Sequence, residues 1–290
     1  MKEIEEENNR LFIDGYGVGD EVSPLVSEEN ITLHVPERAE DIRRLVSYSI
    51  GCMMGRYSLD DSGLIYAHSG NQEFDSSRYT KFPADEDGIV PITDTSWFPD
   101  DATNRFKEFI KTASQEEHLE ENLTFVAESL GQKKDETSRD CIRRYLATGF
   151  YKHHLKMYKK RPIYWLFSSG KQRAFQCLVY LHRYNAGTLS RMRTEYVVKL
   201  QGKINARIEQ LESDIPAAAS TSQRKKLEKE RDTLIKQREE LQVFDEKLRH
   251  YADQRIELDL DDGVKVNYGK FGDLLAEVKS ITGKKPEVIA

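Results

Sequence analysis

The residues of this chain that could do chemistry fall into a glycine run, an aspartate cluster, a histidine pair and a dense block of cations. "GYGVGD", from Gly15 to Asp20, invites comparison with loops that cradle nucleotide-like cofactors. Such loops follow a strand and open a helix. Here the run follows an acidic helical stretch and precedes "EVSPLVSEENITLHV", which reads as extended, so a helix-terminating turn is expected. Asp259, Asp261 and Asp262 suggest a calcium or magnesium cluster, but "DLDDG" lacks the alternate spacing and terminal glutamate of a calcium loop. A solvated turn fits better. His153 and His154 are adjacent, point in different directions on a helix and cannot clamp one metal. Cys52, Cys141 and Cys177 show no CxxC pairing and read as buried free thiols. No catalytic triad is identifiable from residue order, and the expectation is a chain with no catalytic, cofactor-binding or metal-binding residues of its own.

The cations remain. The formal net charge of −6 conceals a strong asymmetry: residues 1–140 hold 14 Lys and Arg against 31 Asp and Glu, residues 141–210 hold 15 against 2, and residues 211–290 hold 15 against 17. The middle block stands at +13 inside an acidic protein, and such a block attracts an anion. It is centred on "KKRPIYWLFSSGKQRAF", Lys159 to Phe175. Lys159, Lys160 and Arg161 lead into this stretch, and Lys171, Arg173, Arg183, Arg191 and Arg193 follow or lead out of it. Cations release condensed counterions from a phosphate backbone, while hydroxyls such as Ser168 and Ser169 position the contact. Tyr164 and Trp165 occupy alternate positions, so one is core and the other could stack on an unpaired base. A second reading stands beside this one: the same cations could neutralise the acidic first 140 residues.

The elements that must hold these residues are mainly helical. Apolar spacing predicts helices over 39–57, 101–112, 115–130 and 137–160, with "GIVPI" as an edge strand. "IYWLFSS" and "AFQCLVYLHRY" form a hairpin around Gly170. Val197, Ile204 and Leu211, then Leu227, Leu234, Leu241 and Leu248, form two heptad ladders. Pro216 ends the first ladder and Ser220, Thr221 or Ser222 caps the second. The fold class is therefore mainly α with small β elements (α+β): a helical and hairpin domain over 1–187, an antiparallel coiled-coil hairpin over 188–256, and a strand pair with a final helix over 257–290 that packs back on the first domain. The start, "MKEIEEENNR", is too acidic for a secretory signal, and no apolar run reaches membrane-spanning length. A cytoplasmic location is expected.

Four stretches carry a family likeness: "ENNRLFIDGYGVGDEVSP" (7–24), "VSYSIGCMMGRYSLDDSGLIYA" (46–67), "KRPIYWLFSSGKQRAFQCLVYLHRY" (160–184) and "DLDDGVKVNYGKFGDLLAEVK" (259–279). Together they resemble the carboxy-terminal part of PglX-type adenine-specific DNA methyltransferases of BREX phage-defence systems, which are related to type IIG restriction-modification enzymes. The resemblance implies a parent enzyme that moves a methyl group from S-adenosylmethionine to the exocyclic amine of adenine in duplex DNA. That chemistry holds the flipped base with an Asn/Asp/Ser-Pro-Pro-Tyr/Phe motif. The eight prolines here stand at 24, 36, 83, 91, 99, 162, 216 and 286, none adjacent to another, so that motif is lacking. With an acidic helix that begins without a cap, the chain reads as the region downstream of the catalytic domain. The implied role is DNA engagement and scaffolding beside an upstream methyltransferase domain. The alternative is a protein-interaction module that recruits other defence-system proteins.

Overall fold

The computed structural model describes residues 2–27 and 36–286. They form two compact units, Met1–Asp41 and Ile42–Ala290. The first unit holds helix α1 (Lys2–Tyr16), of which no residue is buried. A turn with Gly17 at φ 67° closes it. The chain then doubles back: Asn9 Nδ2 donates to the Pro24 carbonyl at 3.2 Å, and the Val26 amide donates to Glu6 Oε1 at 3.4 Å. Part of the extended stretch expected here, residues 28–35, lies outside the described residues.

The second unit is built around strands β1 (Ile89–Pro91), β2 (Tyr164–Ser168) and β3 (Gln176–Tyr180), in the order β1-β3-β2 with both pairings antiparallel. Pro91 has no amide hydrogen to donate, which suits the edge position of β1. The hairpin of β2 and β3 is the one expected from the sequence, but its burial is not. Antiparallel sheets commonly leave one face to water; here Tyr164, Trp165, Leu166 and Phe167 are all buried in succession. Trp165 meets the rings of Tyr268 and Phe271 on one face, with centroids 5.2 and 5.7 Å away. On the other face Tyr164 stacks on His154 at 4.9 Å. Tyr164 therefore belongs to the core and cannot receive a base.

Helices α2 (Arg38–Met53), α3 (Ala102–Ala113), α4 (Leu119–Ser129) and α5 (Ser138–Tyr145) fall where the spacing predicts them. Asp101 caps α3, its Oδ1 accepting from the amides of Thr103 and Asn104 at 2.9 Å. Helix α5 runs through one wide π-helical turn (Leu146–Phe150) into α6 (Tyr151–Met157). After β3 come α7 (Thr188–Arg191), a second wide turn (Met192–Val197), α8 (Val198–Asp214) and α9 (Thr221–Asp253). Ser220 caps α9, accepting from the Gln223 amide at 3.1 Å.

Helices α8 and α9 are antiparallel, since Arg207 pairs with Glu230 near the connection and Arg193 pairs with Asp245 farther from it. Their ladder residues Ile204, Leu211, Leu234, Leu241 and Leu248 are buried, and they belong to the same hydrophobic cluster as the sheet. Phe244 of α9, for example, lies 6.1 Å from the Phe175 ring. Much of the apolar stripe of this hairpin thus faces the sheet as well as the partner helix. That cluster draws on residues before 188, from 188 to 256 and after 256.

The strand pair expected after residue 257 is not formed. Asp259 caps a tight turn, and Gly263 at φ 76° starts the short helix α10 (Gly263–Gly269), with α11 (Val278–Thr282) beyond it. Asn267 is buried and its Nδ2 donates to the carbonyls of Asp259 and Gly263, which favours a coiled path over an extended one. The one strand-like contact is a bridge from Leu275 to Phe167, with the Ala276 amide donating to the Leu166 carbonyl at 2.9 Å.

His154 ties α6 to β2. Its Nε2 accepts from the amides of Ile163 and Tyr164, both at 3.2 Å, so the ring is neutral and carries its proton on Nδ1. Burial, with His153 and Arg56 nearby, lowers its pKa to about 3. In the unfolded chain the ring titrates near its ordinary value of 6.5. Stability is thus unaffected above that pH and is lost as pH falls below it, because only the unfolded chain then takes up the proton. The loss is on the order of 2 kcal/mol by about pH 5. Urea unfolding between pH 8 and 5 should show this dependence in the wild type and lose it in His154→Gln, whose amide oxygen still accepts from β2. Equal pH dependence in both would assign the acid sensitivity elsewhere.

Candidate nucleic-acid interface

The cations of the middle block divide into two populations. One is consumed by the fold. Arg143 is buried with Asp101 at 3.0 Å and donates to the Thr93 carbonyl at the same distance. Arg144 pairs with Glu136 at 2.6 Å and draws the glutamate pKa down to about 2. Arg183, expected at the surface, is 1% exposed. Its guanidinium lies 3.8 Å from the centre of the Phe74 ring and donates to Asn71 Oδ1 and to the carbonyls of Asp85 and Glu86. Arg193 pairs with Asp245 at 2.8 Å, and Arg191 is exposed but lies 3.7 Å from Glu195. For Arg143 and Arg144 the acidic amino-terminal half supplies carboxylates, as the neutralisation reading anticipated, whereas for Arg183 it supplies carbonyl and amide oxygens.

The other population is free. Lys152, Lys156, Lys159, Lys160, Arg161, Lys171 and Arg173 are exposed, and among the described residues none has a carboxylate within ion-pair distance. Lys152 and Lys156 are four residues apart on α6 and share a face. Lys159, Lys160 and Arg161 form the turn between α6 and β2, and Lys171 and Arg173 sit in the turn between β2 and β3. The two turns lie at opposite ends of β2, so the free cations form two clusters separated by roughly 16 Å of strand. Ser168 and Ser169 are half-buried beside the second cluster, and Ser169 Oγ donates to Glu240 Oε1 at 2.7 Å.

The first cluster borders a groove of about 890 Å³, whose other wall includes Lys265, Val264, Val266 and Ile281. Lys265 is an exposed cation that the sequence left hidden, because it follows the block by more than 50 residues within an acidic segment. The second cluster borders a smaller groove of about 410 Å³ with Arg143, Arg144 and Asp94.

Backbone geometry marks the same positions. Lys159, Lys160 and Arg173 have φ of 48°, 61° and 50°. Lysine and arginine pay a steric cost there that glycine or asparagine would not. At Lys159 and Lys160 the strain closes α6, with the Lys160 amide donating to the Leu155 carbonyl at 2.8 Å and the Lys159 amide to Lys156 at 3.2 Å.

Other chemistry-bearing groups are accounted for by structure. The Tyr196 hydroxyl lies 3.1 Å from Asp87 Oδ2 and 3.2 Å from Asp100 Oδ2, and burial raises the Asp100 carboxyl. Among the described residues no group of three or more His, Cys, Asp or Glu could hold a metal ion. Asp259 spends its Oδ1 on the Asp261 amide at 2.9 Å, within a turn. Cys52, Cys141 and Cys177 are free and buried. The glycine run ends α1 and is followed by residues in neither strand nor helix through 27, so it does not make the strand-turn-helix cradle of a methyl-donor site. Among the described residues no helix is long and apolar enough to cross a membrane.

No protein-family profile matches the chain. Over 272 residues, 91% of its length, it is 58% identical to the adenine-specific methyltransferase BrxX of Escherichia coli O9:H4 (strain HS). Over 273 residues, 93% of its length, it is 42% identical to the adenine-specific methyltransferase PglX of Lacticaseibacillus casei (strain Zhang). By sequence the chain is thus similar to one part of each of these adenine-specific methyltransferases. It spans 22% of the length of each of these relatives.

The two cation populations should separate in a stability measurement. Arg183→Met removes a buried guanidinium and strands the carbonyls of Asp85 and Glu86, and it should cost about 3 kcal/mol or more in urea unfolding. Lys171→Met, at an exposed and unpaired site, should stay within about 0.5 kcal/mol of wild type. Comparable losses at both positions would show that the exposed cations are structural after all.

Proposed function

We propose that this chain is the DNA-engaging and scaffolding part of an adenine-specific (N6) DNA methyltransferase of a BREX-type phage-defence or restriction-modification system, carboxy-terminal to the catalytic domain and not catalytic alone. The relationship to BrxX and PglX supports the system, and the 22% span supports a part of the enzyme over the whole. The observation that carries the DNA role is the group of seven exposed cations on α6 and the two turns flanking β2, which among the described residues have no carboxylate partner, in a chain whose formal net charge is −6. A protein that needed them only for stability would have paired them with its surplus of acids, as it does for Arg143 and Arg144.

In the whole enzyme S-adenosylmethionine supplies the methyl group, bound outside these residues, and duplex DNA is the substrate. This chain contributes phosphate contacts from the two ends of β2, which fix register on the duplex without reading bases. The buried faces of the sheet leave Tyr164 and Trp165 no part in stacking. The setting is the cytoplasm, where genomic DNA is marked.

The test is a fluorescence-anisotropy titration of a short duplex against salt. Wild type should bind at roughly micromolar strength near physiological salt, and the affinity should fall steeply as salt rises, with a log-log slope of about −4 if some five phosphates are engaged. Turning Lys159, Lys160, Arg161, Lys171 and Arg173 all to glutamate should abolish binding at low salt. Unchanged binding in that variant would remove both turns from the interface, and methyl transfer to the duplex by the isolated chain would overturn the non-catalytic assignment.

A further inference from the structure

Helix α9 reaches the β2–β3 turn with one carboxylate. Glu240 Oε1 accepts from Ser169 Oγ at 2.7 Å and from the Ala174 amide at 3.2 Å, and Oε2 accepts from the Gln172 amide at 2.7 Å. The contact is close on the strand side as well. Gly170 has φ 136°, and a Cβ there would stand 2.8 Å from Glu240 Oε2, so the turn accepts only glycine while the carboxylate is in place. One helical turn earlier, Gln237 Nε2 donates to the Gln172 carbonyl at 3.2 Å and to Asp94 Oδ2 at 2.9 Å. Leu241, next to Glu240, is fully buried and anchors this stretch of α9 in the core. The turn of the hairpin is thus tied through the amides of Gln172 and Ala174 and the Gln172 carbonyl to side chains of α9.

The placement of the charge is informative. Glu240 lies beside two free cations, Lys171 and Arg173, yet forms an ion pair with neither; it spends its oxygens on backbone amides and a hydroxyl. Arg173 is meanwhile held at φ 50°. A carboxylate used to neutralise the turn would point at the side chains. This one fixes the backbone and leaves both cations extended into solvent.

We infer that Glu240 is the positioning residue of the second cation cluster: by clamping residues 169–174 it presents Lys171 and Arg173 to the duplex phosphates in one fixed arrangement. This rests on the DNA-contact reading given above. Glu240→Asp separates positioning from charge, because it keeps the negative charge and shortens the reach by about 1.5 Å, one carbon–carbon bond. Duplex affinity at low salt should fall roughly threefold to tenfold. Trypsin cleavage after Lys171 and after Arg173 should quicken several-fold as the turn loosens, with cleavage elsewhere unchanged. In a Lys171→Ala/Arg173→Ala background Glu240→Asp should leave affinity where the double variant set it, since a positioning residue acts only through what it positions. Ser169→Ala, which removes one arm of the clamp with no change of charge, should move both readouts in the same direction and guards against a fault peculiar to one variant.

Wild-type affinity in Glu240→Asp, a gain in affinity, or an equal loss with and without the two cations would overturn the inference. Unchanged tryptic rates would overturn the clamp itself. A wild-type chain that binds no duplex would instead sink the proposed function and, with it, the DNA half of this inference, leaving the proteolysis to judge the clamp alone.

Discussion

Strand β3 carries five consecutive buried residues, Gln176–Tyr180, and is hydrogen-bonded along both edges to β1 and β2. A strand so enclosed accepts no unpaired charge, because an ion there would lose its hydration without compensation. The hairpin interior is accordingly aromatic and aliphatic, and the cations of the middle block are displaced to the two turns or onto the surrounding helices. Those that remain inside are paired or hydrogen-bonded, as Arg143 is to Asp101 and Arg183 is to two carbonyls and Asn71. The same burial that stabilises the sheet therefore sorts the positive charge into structural and free portions.

The sorting has a geometric consequence. Because the turns before and after β2 lie at its two ends, the free cations present a pair of separated contacts, and a duplex engaging both would be fixed in direction as well as in position. Each contact has its own mechanical support. The first is held by the helix-ending turn of α6, in which two lysines accept left-handed backbone geometry. The second is held by a carboxylate from α9. Strained backbone at charged residues persists only where the surroundings over-determine it, and here the surroundings are a helix end and a hydrogen-bonded clamp.

Much of this was legible in the sequence, and what was not has a common cause. The heptad ladders, the hairpin around Gly170 and the Ser220 cap are local patterns, and each appears where the spacing predicts it. The paired state of the cations is not local: Arg143 finds Asp101 at a separation of 42 residues, Arg193 finds Asp245 at 52, and Arg183 finds the carbonyls of Glu86 and Asp85 at 97 and 98. Charge totals showed that neutralisation was available without showing which residues took it. Alternation along β2 suggested one wet face, and failed because α6 covers one side while the Tyr268–Phe271 segment covers the other. The strand pair after 257 failed for a related reason, since Asn267 is buried and supplies two hydrogen bonds that only a coiled path can use.

Glu240 illustrates what pattern reading cannot reach. In the sequence it is one of two adjacent glutamates on a charged helix, next to the heptad leucine Leu241, and nothing distinguishes it from Glu239. Folding does: Glu239 is exposed, whereas Glu240 is half-buried against the hairpin turn with three donors around it. An ion pair from Glu240 to Lys171 or Arg173 would have added little at this exposed site and would have withdrawn a cation from any partner. Hydrogen bonds to the backbone hold the turn without that loss, so rigidity and free positive charge coexist within six residues. That combination is the one the proposed phosphate contact requires.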